Sequence, residues 1–131
     1  GAGKTRGGMG QFMEVGAMEG HEFDIKAMFD RVDHPARGRR GGMAGAKTTI
    51  VRDDGSAMNG KGKQFVPHGR KVVMAFPGGA GYGDPADRPR DLVLRDLARG
   101  YISAETAARD YGLGADEIKA IQDAVAKGEI S

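Results

Sequence analysis

Apolar and polar residues alternate through "HEFDIKAMF". Phe23, Ile25, Ala27 and Phe29 fall on one side, and Asp24, Lys26 and Met28 on the other. A period of two predicts a half-buried strand. "QFMEVGAM" ahead of it is a shorter strand candidate, with "MEG" as the turn between. In "KTTIVRDDGSAM" a β-branched run leads into Asp54-Gly55, a strong local hairpin signal. "HGRKVVMAFPGG" adds a compact strand from Lys71 to Phe76, closed by Pro77 and the glycines behind it.

After Pro85 the period lengthens. In "ADRPRDLVLRDLARG", Leu92, Val93, Asp96 and Leu97 share one helical face, and Gly100 supplies a stop. Ser103 suits the N-cap of "AETAARDYG", with Glu105 in the first turn and Gly112 past the end. "ADEIKAIQDAVAKG" carries Ile118, Ile121 and Val125 as a single stripe and closes on Gly128. Strands come first and three short helices follow, so the expected class is α+β with a mainly antiparallel β region. The expected division is a glycine-rich β region over 1–85 and a helical segment over 86–131, co-folded as one unit. The strands are few and their loops long, so the β part is not expected to close a core of its own.

Composition changes this picture in one respect. Glycine makes up 23 of the 131 residues, several times its usual share of about 7%. The glycines cluster between apolar segments without a repeat, which points to turns and close backbone approach rather than disorder. Cysteine is absent, which excludes disulfides, thiolate nucleophiles and Cys-based zinc sites. No apolar run is long enough to span a bilayer and no signal peptide is visible, so the expected setting is cytoplasmic, with no membrane partner.

The net charge of +2 conceals an asymmetry: residues 1–85 hold 13 Lys/Arg against 9 Asp/Glu, and residues 86–131 hold 7 against 9. The densest basic run, "HPARGRRGGMAGAK", contains Arg37, Arg39, Arg40 and Lys47 and no acid. It suits an anion site, for nucleic acid or phosphate, or else a solvated loop or a face paired with an acidic partner, the commoner fates of such a run.

Several tempting sites fail on context. "GAGKTRGGMGQ" contains the Gly-Lys-Thr that ends a phosphate-binding P-loop. That loop needs a strand before it and a helix directly after Lys-Thr; here Gly7, Gly8 and Gly10 follow instead. "SAETAARDYGLGADEIKAIQDAV" has the spacing of a helix-turn-helix. Its second helix is acidic, with two Lys against four Asp/Glu from Gly112 onward, so no nucleic-acid partner is expected. His21, His34 and His68 are scattered and give no metal-ligand spacing. Ser103 is explained as a cap, with no histidine near it in sequence. "FPGGAGYGDPADRP" stays open: its glycines suit either an N–H nest for an anion or a structural turn into the helices.

Two of these stretches carry a resemblance. "GAGKTRGGMG" resembles the Gly-x-Gly-Lys-x-Arg-Gly-Gly-x-Gly block of the hydantoinase B/oxoprolinase family. "PGGAGYGDPADRPRDLVLRDLARGYISAETAARDYGL" is similar to that family's C-terminal signature, and "RRGGMAGAK" to its Gly-Gly-x-x-Gly loop. The resemblance runs in order from Gly1 to about Leu113; Ala80 replaces one glycine of the usual turn, and the tail from Gly114 matches nothing.

The resemblance implies a large subunit working with a hydantoinase A/oxoprolinase-type partner of actin-like ATPase fold. Together such subunits open hydantoin or lactam rings in ATP-dependent hydrolysis, and related acetone and acetophenone carboxylases activate ketones. Phosphorylating the carbonyl oxygen activates the ring carbon toward attack by water, after which the C–N bond can break. The family's His/Asp metal ligands lie in an N-terminal portion that this chain lacks. No metal or cofactor is therefore expected on this segment, and ATP and a divalent metal are expected elsewhere in the complex. The chain, which does not begin with Met, then looks like the C-terminal segment of a B-type subunit, or a small subunit of a split one. The alternatives are a component of an acetone- or acetophenone-type ATP-dependent carboxylase and a non-catalytic assembly module. The remainder of the B-type subunit would be a second partner. Arg6, Tyr82 and Asp84 are the expected catalytic residues. Lys4, Gly7, Gly8, Gly78, Gly79, Gly81 and Gly83 are expected to bind substrate or an anion, because anionic intermediates need cationic or N–H-donating surroundings.

Overall fold

The structure, a computed structural model, describes residues 1–130. Five strands precede three helices, as an α+β chain should. The chain divides into two compact units that interleave in sequence. One comprises Gly8–Ala36 and Gly45–Gly79; the other comprises Gly1–Gly7, Arg37–Ala44 and the chain from Ala80 onward.

The first, the strand unit, contains two antiparallel sheets. β1 (Gln11–Gly16), β5 (Lys71–Phe76) and β3 (Thr49–Arg52) form a sheet with β5 in the middle. Met13 lies opposite Met74, and Val51 opposite Val73. β2 (Phe23–Met28) pairs with β4 (Lys61–Val66), Phe23 facing Val66. Ile50, Val66, Val72 and Met74 are buried together, so both sheets contribute to one small core, with Phe23, Ile25, Phe29 and Phe76 packed against it. β2 alternates as its sequence predicts: Phe23, Ile25 and Ala27 turn inward, and Asp24, Lys26 and Met28 outward. β1 contributes nothing to this core, since all six of its residues are exposed.

Two local expectations change. Asp54-Gly55 does make a turn: the Gly55 N–H donates to the Arg52 carbonyl, and Asp54 Oδ1 accepts from Ser56 N–H at 2.9 Å. The returning leg, however, keeps a single bridge, Val51 to Ala57, and β3 takes β5 as its ladder partner. β4 goes unrecognised in the sequence because "KGKQFV" lacks apolar alternation and buries only Val66 fully. It forms because β2 offers it a complete antiparallel ladder.

The second, the helical unit, holds a 3-10 turn (Pro85–Asp87), α1 (Arg90–Ala98), α2 (Ala104–Tyr111) and α3 (Ala115–Ala126). Val93, Asp96 and Leu97 of α1 are buried. Their apolar members join Ile102, Ala107, Tyr111, Leu113 and Ile118 in one core, which Ala2 completes. Ser103 caps α2, its Oγ accepting from Thr106 N–H at 3.1 Å. All three helices stop on a glycine in the left-handed region, Gly100, Gly112 and Gly128, with the paired closing bonds that such a stop permits. α1 is tied to α3 by Arg90, which donates to both carboxylate oxygens of Glu117 and to the Gly112 carbonyl.

Candidate functional site

In the helical unit three glycine-rich segments lie side by side. Thr5 bridges Tyr82 antiparallel, and Arg39 bridges Tyr82 parallel, so the 81–83 segment sits between the other two. Thr5 N–H donates to the Tyr82 carbonyl at 2.9 Å, and Tyr82 N–H returns the bond at 3.0 Å. On the other side Arg39 N–H donates to Gly81 O, and Gly83 N–H to Arg39 O. The glycines make this approach sterically possible. A Cβ on Gly81 would lie 1.7 Å from the Ala2 carbonyl oxygen, and one on Gly42 would lie 2.2 Å from that of Gly81. No side chain fits between backbones at such distances.

The same closeness decides where the N–H groups go. Gly7 donates to the Gly1 carbonyl, Gly81 to Met43 and Gly83 to Arg39. In the strand unit Gly79 donates to Gly8. At Gly7, Gly79, Gly81 and Gly83 the N–H groups are used in backbone pairing, because close packing brings a carbonyl within reach of each donor. Gly78 is part of the same contact in the strand unit, where a Cβ would lie 2.0 Å from Gly8 O.

Asp96 anchors the first of these segments. Its side chain is 1% exposed, and Oδ2 receives both Arg6 Nε at 3.0 Å and Arg88 Nη2 at 2.6 Å. Arg6 also donates through Nη1 to the Gly7 carbonyl and lies over the Tyr101 ring, 5.3 Å from its centroid. Arg88 Nη1 donates to the Lys4 carbonyl, and Gly3 N–H to the Tyr111 hydroxyl. A buried carboxylate on α1 thus positions a loop 90 residues earlier in sequence through two arginines. Asp96 stood out in the sequence only as the polar member of an apolar helical face, which is the signal that marks it.

Arg6, expected among the catalytic residues, has its guanidinium turned onto Asp96 and largely buried. Tyr82 is exposed. Asp84 is exposed and uses Oδ1 to accept from Ala86 N–H, capping the 3-10 turn at 2.9 Å. Lys4 is exposed, with its stem over Gly83, where an added Cβ would meet Lys4 Cβ at 2.9 Å. Lys4, Arg6, Gly7, Gly81, Tyr82, Gly83 and Asp84 thus belong to the helical unit; Gly8, Gly78 and Gly79 belong to the strand unit. Thr5 and Arg39, which flank Tyr82, were not among the expected site residues.

Among the described residues, no group of three or more His, Cys, Asp or Glu side chains could hold a metal ion. His68 has a local role, its Nε2 accepting from Gly20 N–H at 2.7 Å. Among the described residues, no helix is long and apolar enough to cross a membrane.

Comparison with known proteins adds the following. The family model described as hydantoinase B/oxoprolinase matches residues 1–85. The beta subunit of the caprolactamase of Pseudomonas jessenii is 29% identical over 128 residues, covering 88% of this chain and 21% of its own length. The B-type subunit of a putative D-/L-hydantoinase from a Pseudomonas species is 29% identical over 117 residues, covering 85% of this chain and 19% of that protein. The chain spans about a fifth of the length of the curated relatives it matches. Among solved structures, a nucleotide-free acetone carboxylase covers 71% of this chain and 19% of its own at a TM-score of 0.46 and 18% identity. That likeness is too slight to carry an argument.

Proposed function

The chain belongs to the hydantoinase B/oxoprolinase family, and from that premise we propose that it forms part of a B-type subunit that hydrolyses a cyclic amide. The observation that carries this reading is the family match over residues 1–85, the stretch that includes all three glycine-rich segments up to Asp84. Relatives named for lactam and hydantoin substrates support the cyclic amide as substrate class. The reading includes a partner ATPase subunit of the hydantoinase A type, on which the ring carbonyl is activated by phosphorylation, and the remainder of the B-type subunit.

The residues of this chain then divide by task. Tyr82 supplies a phenol to the anion that forms when water adds to the activated ring carbon, before the C–N bond breaks and the ring nitrogen leaves with a proton. Lys4, whose stem lies over Gly83 on the opposite face, adds positive field rather than a direct contact. Asp84 orders the exit from the glycine turn. Arg6 acts as a positioning residue, holding its loop against Asp96 rather than touching substrate.

The test is ring opening by the native polypeptide that contains this chain, combined with a hydantoinase A-type subunit from the same organism. A panel of lactams and hydantoins is followed by appearance of the product carboxylate. Turnover that needs both proteins and ATP is expected. Turnover of a ketone only when bicarbonate is present would reassign the chain to a carboxylase, and hydrolysis unaffected by omitting ATP would overturn the activated-carbonyl step.

A further inference from the structure

The glycine ladder commits its backbone donors inward and leaves a set of side-chain donors on one outer face. Residues paired across a β-bridge point their side chains to the same side. Thr5, Tyr82 and Arg39, bridged in that order, therefore share one face. All three are exposed. The neighbouring Arg6 turns the other way, to Asp96 within the helical core. Among the described residues, the Arg39 guanidinium has no ion-pair partner, and neither the Tyr82 hydroxyl nor the Thr5 hydroxyl has a hydrogen-bond partner.

Arg39 is also fixed more firmly than an ordinary loop arginine. Its N–H donates to Gly81, and its carbonyl accepts from both Gly83 and Gly42. The chain then turns sharply through Arg40 and Gly41, both at positive φ (48° and 89°). A non-glycine residue in that region is uncommon, and here it serves to reverse the chain immediately after Arg39.

We propose that Thr5, Tyr82 and Arg39 form an oxyanion-binding face, taking a phosphoryl or carboxylate group of a small ligand. The guanidinium offers a planar fork that matches two oxygens of either group. The two hydroxyls, which donate without adding charge, reach oxygens that the fork leaves unpaired. The local field is net positive: segments 1–7 and 37–44 carry Lys4, Arg37, Arg39 and Arg40 and no acid, Arg6 is neutralised by Asp96, and Asp84 is the one acid close to Tyr82 in sequence. The basic run, which the sequence leaves open between an anion site and a solvated loop, thereby acquires one arginine with a defined direction. The face shares Tyr82 with the proposed ring-opening chemistry but stands on geometry independent of it.

The test is binding alone, so its outcome is separable from turnover. The native polypeptide that contains this chain, uniformly 15N-labelled, is titrated with inorganic phosphate, with acetate, and with chloride at matched ionic strength. Saturable shifts are expected at the amides of Thr5, Arg39 and Tyr82 and at Arg39 Nε, absent with chloride. Stronger binding of phosphate than acetate would assign a phosphoryl ligand, and the reverse order a carboxylate. Arg39→Gln should weaken binding at least tenfold, and Tyr82→Phe, which removes one hydroxyl only, two- to fivefold. Amide dispersion confirms that each variant keeps the ladder; should Arg39→Gln lose it, Tyr82→Phe alone carries the test. Unsaturable drift shared with chloride would overturn the proposal. So would wild-type binding in Arg39→Gln or Tyr82→Phe, or saturable binding abolished by Arg37→Gln but not by Arg39→Gln.

Discussion

Glycine serves both close approach and turns in each unit, but the two units weigh these uses differently. In the helical unit, glycines let three backbone segments approach until carbonyl oxygens occupy the space a methyl group would need. In the strand unit many of them serve turns: Gly20, Gly55 and Gly69 have positive φ and open space where a Cβ would be. Each unit is also held differently. The helical unit joins an apolar core of eight buried residues to a buried ion-pair node at Asp96. The strand unit relies on a cluster of four buried apolar residues and leaves β1 exposed throughout. What teaches most is the contrast between Gly81 and Gly8, which read alike in the sequence. One is locked between backbones, and the other has nothing within 4 Å of an added Cβ.

The largest effect is expected at that contrast. Gly81→Ala forces apart segments that have no room to yield and should cost about 3 kcal/mol or more, at the upper end of overpacking penalties. Gly8→Ala should leave stability within about 1 kcal/mol, because the new methyl meets no atom and the unfolded chain loses freedom. Denaturant melts monitored by amide exchange in each unit give both numbers. Equal costs at the two positions would end the distinction.

The Asp96 node comes next. Asp96→Ala leaves Arg6 and the nearly buried Arg88 without their shared carboxylate. Breaking a buried pair in this way costs about 3–5 kcal/mol. Arg6→Ala retains the Arg88 pair and should cost less, about 1–3 kcal/mol, the range for hydrogen bonds to charged groups. Exchange protection at the 1–7 segment should fall in both variants. Loss of turnover with that protection intact would restore a direct catalytic role to Arg6.

In the strand unit the comparison is between sheet centre and sheet edge. Met74→Ala on β5 removes a side chain that is 3% exposed and should cost about 2–3 kcal/mol. Phe12→Ser on β1 removes one that is 69% exposed and should stay within about 0.5 kcal/mol. Urea midpoints of the two variants measure the gap. A large loss from Phe12→Ser would mean that β1 contributes to stability through contacts its exposure does not reveal.

These contrasts also mark how far the sequence could be read. Period-two alternation identified β2, and the β-branched and apolar run of Lys71–Phe76 identified β5; capping chemistry identified α1, α2 and α3. All of these are local signals. β4 was missed because its strand character comes from its partner, and the β3 turn was read correctly while its ladder partner was not. The glycine segments were legible as unusual and, through their likeness to a family, as the stretches that identify it. Which backbone each one touches depends on pairings such as Thr5 with Tyr82 and Arg39 with Tyr82, which no periodicity encodes. Thr5 stayed hidden for that reason, and Arg39 stood out only as one of four cations in a basic run. Asp96 was visible on its helical face, but its arginine partners lie 90 and 8 residues away.

The smallest expected effect concerns the tie between α1 and α3. Hydrogen bonds from Arg90 and from Gly114 N–H hold the Glu117 carboxyl below its ordinary value of 4.5. A depressed folded value means the unfolded chain takes up the proton first. The contribution is therefore complete above pH 4.5 and fades as pH falls through the folded value. Both partners are exposed, so the effect is small and screened by salt. Comparing wild type with Glu117→Gln across that window, at low and high salt, isolates it: the two proteins should differ at neutral pH and converge in acid. A difference that persists in acid would show that Glu117 acts on α3 through packing, and the asymmetry between the charged node inside the helical unit and the charged pair on its surface would then lose its electrostatic basis.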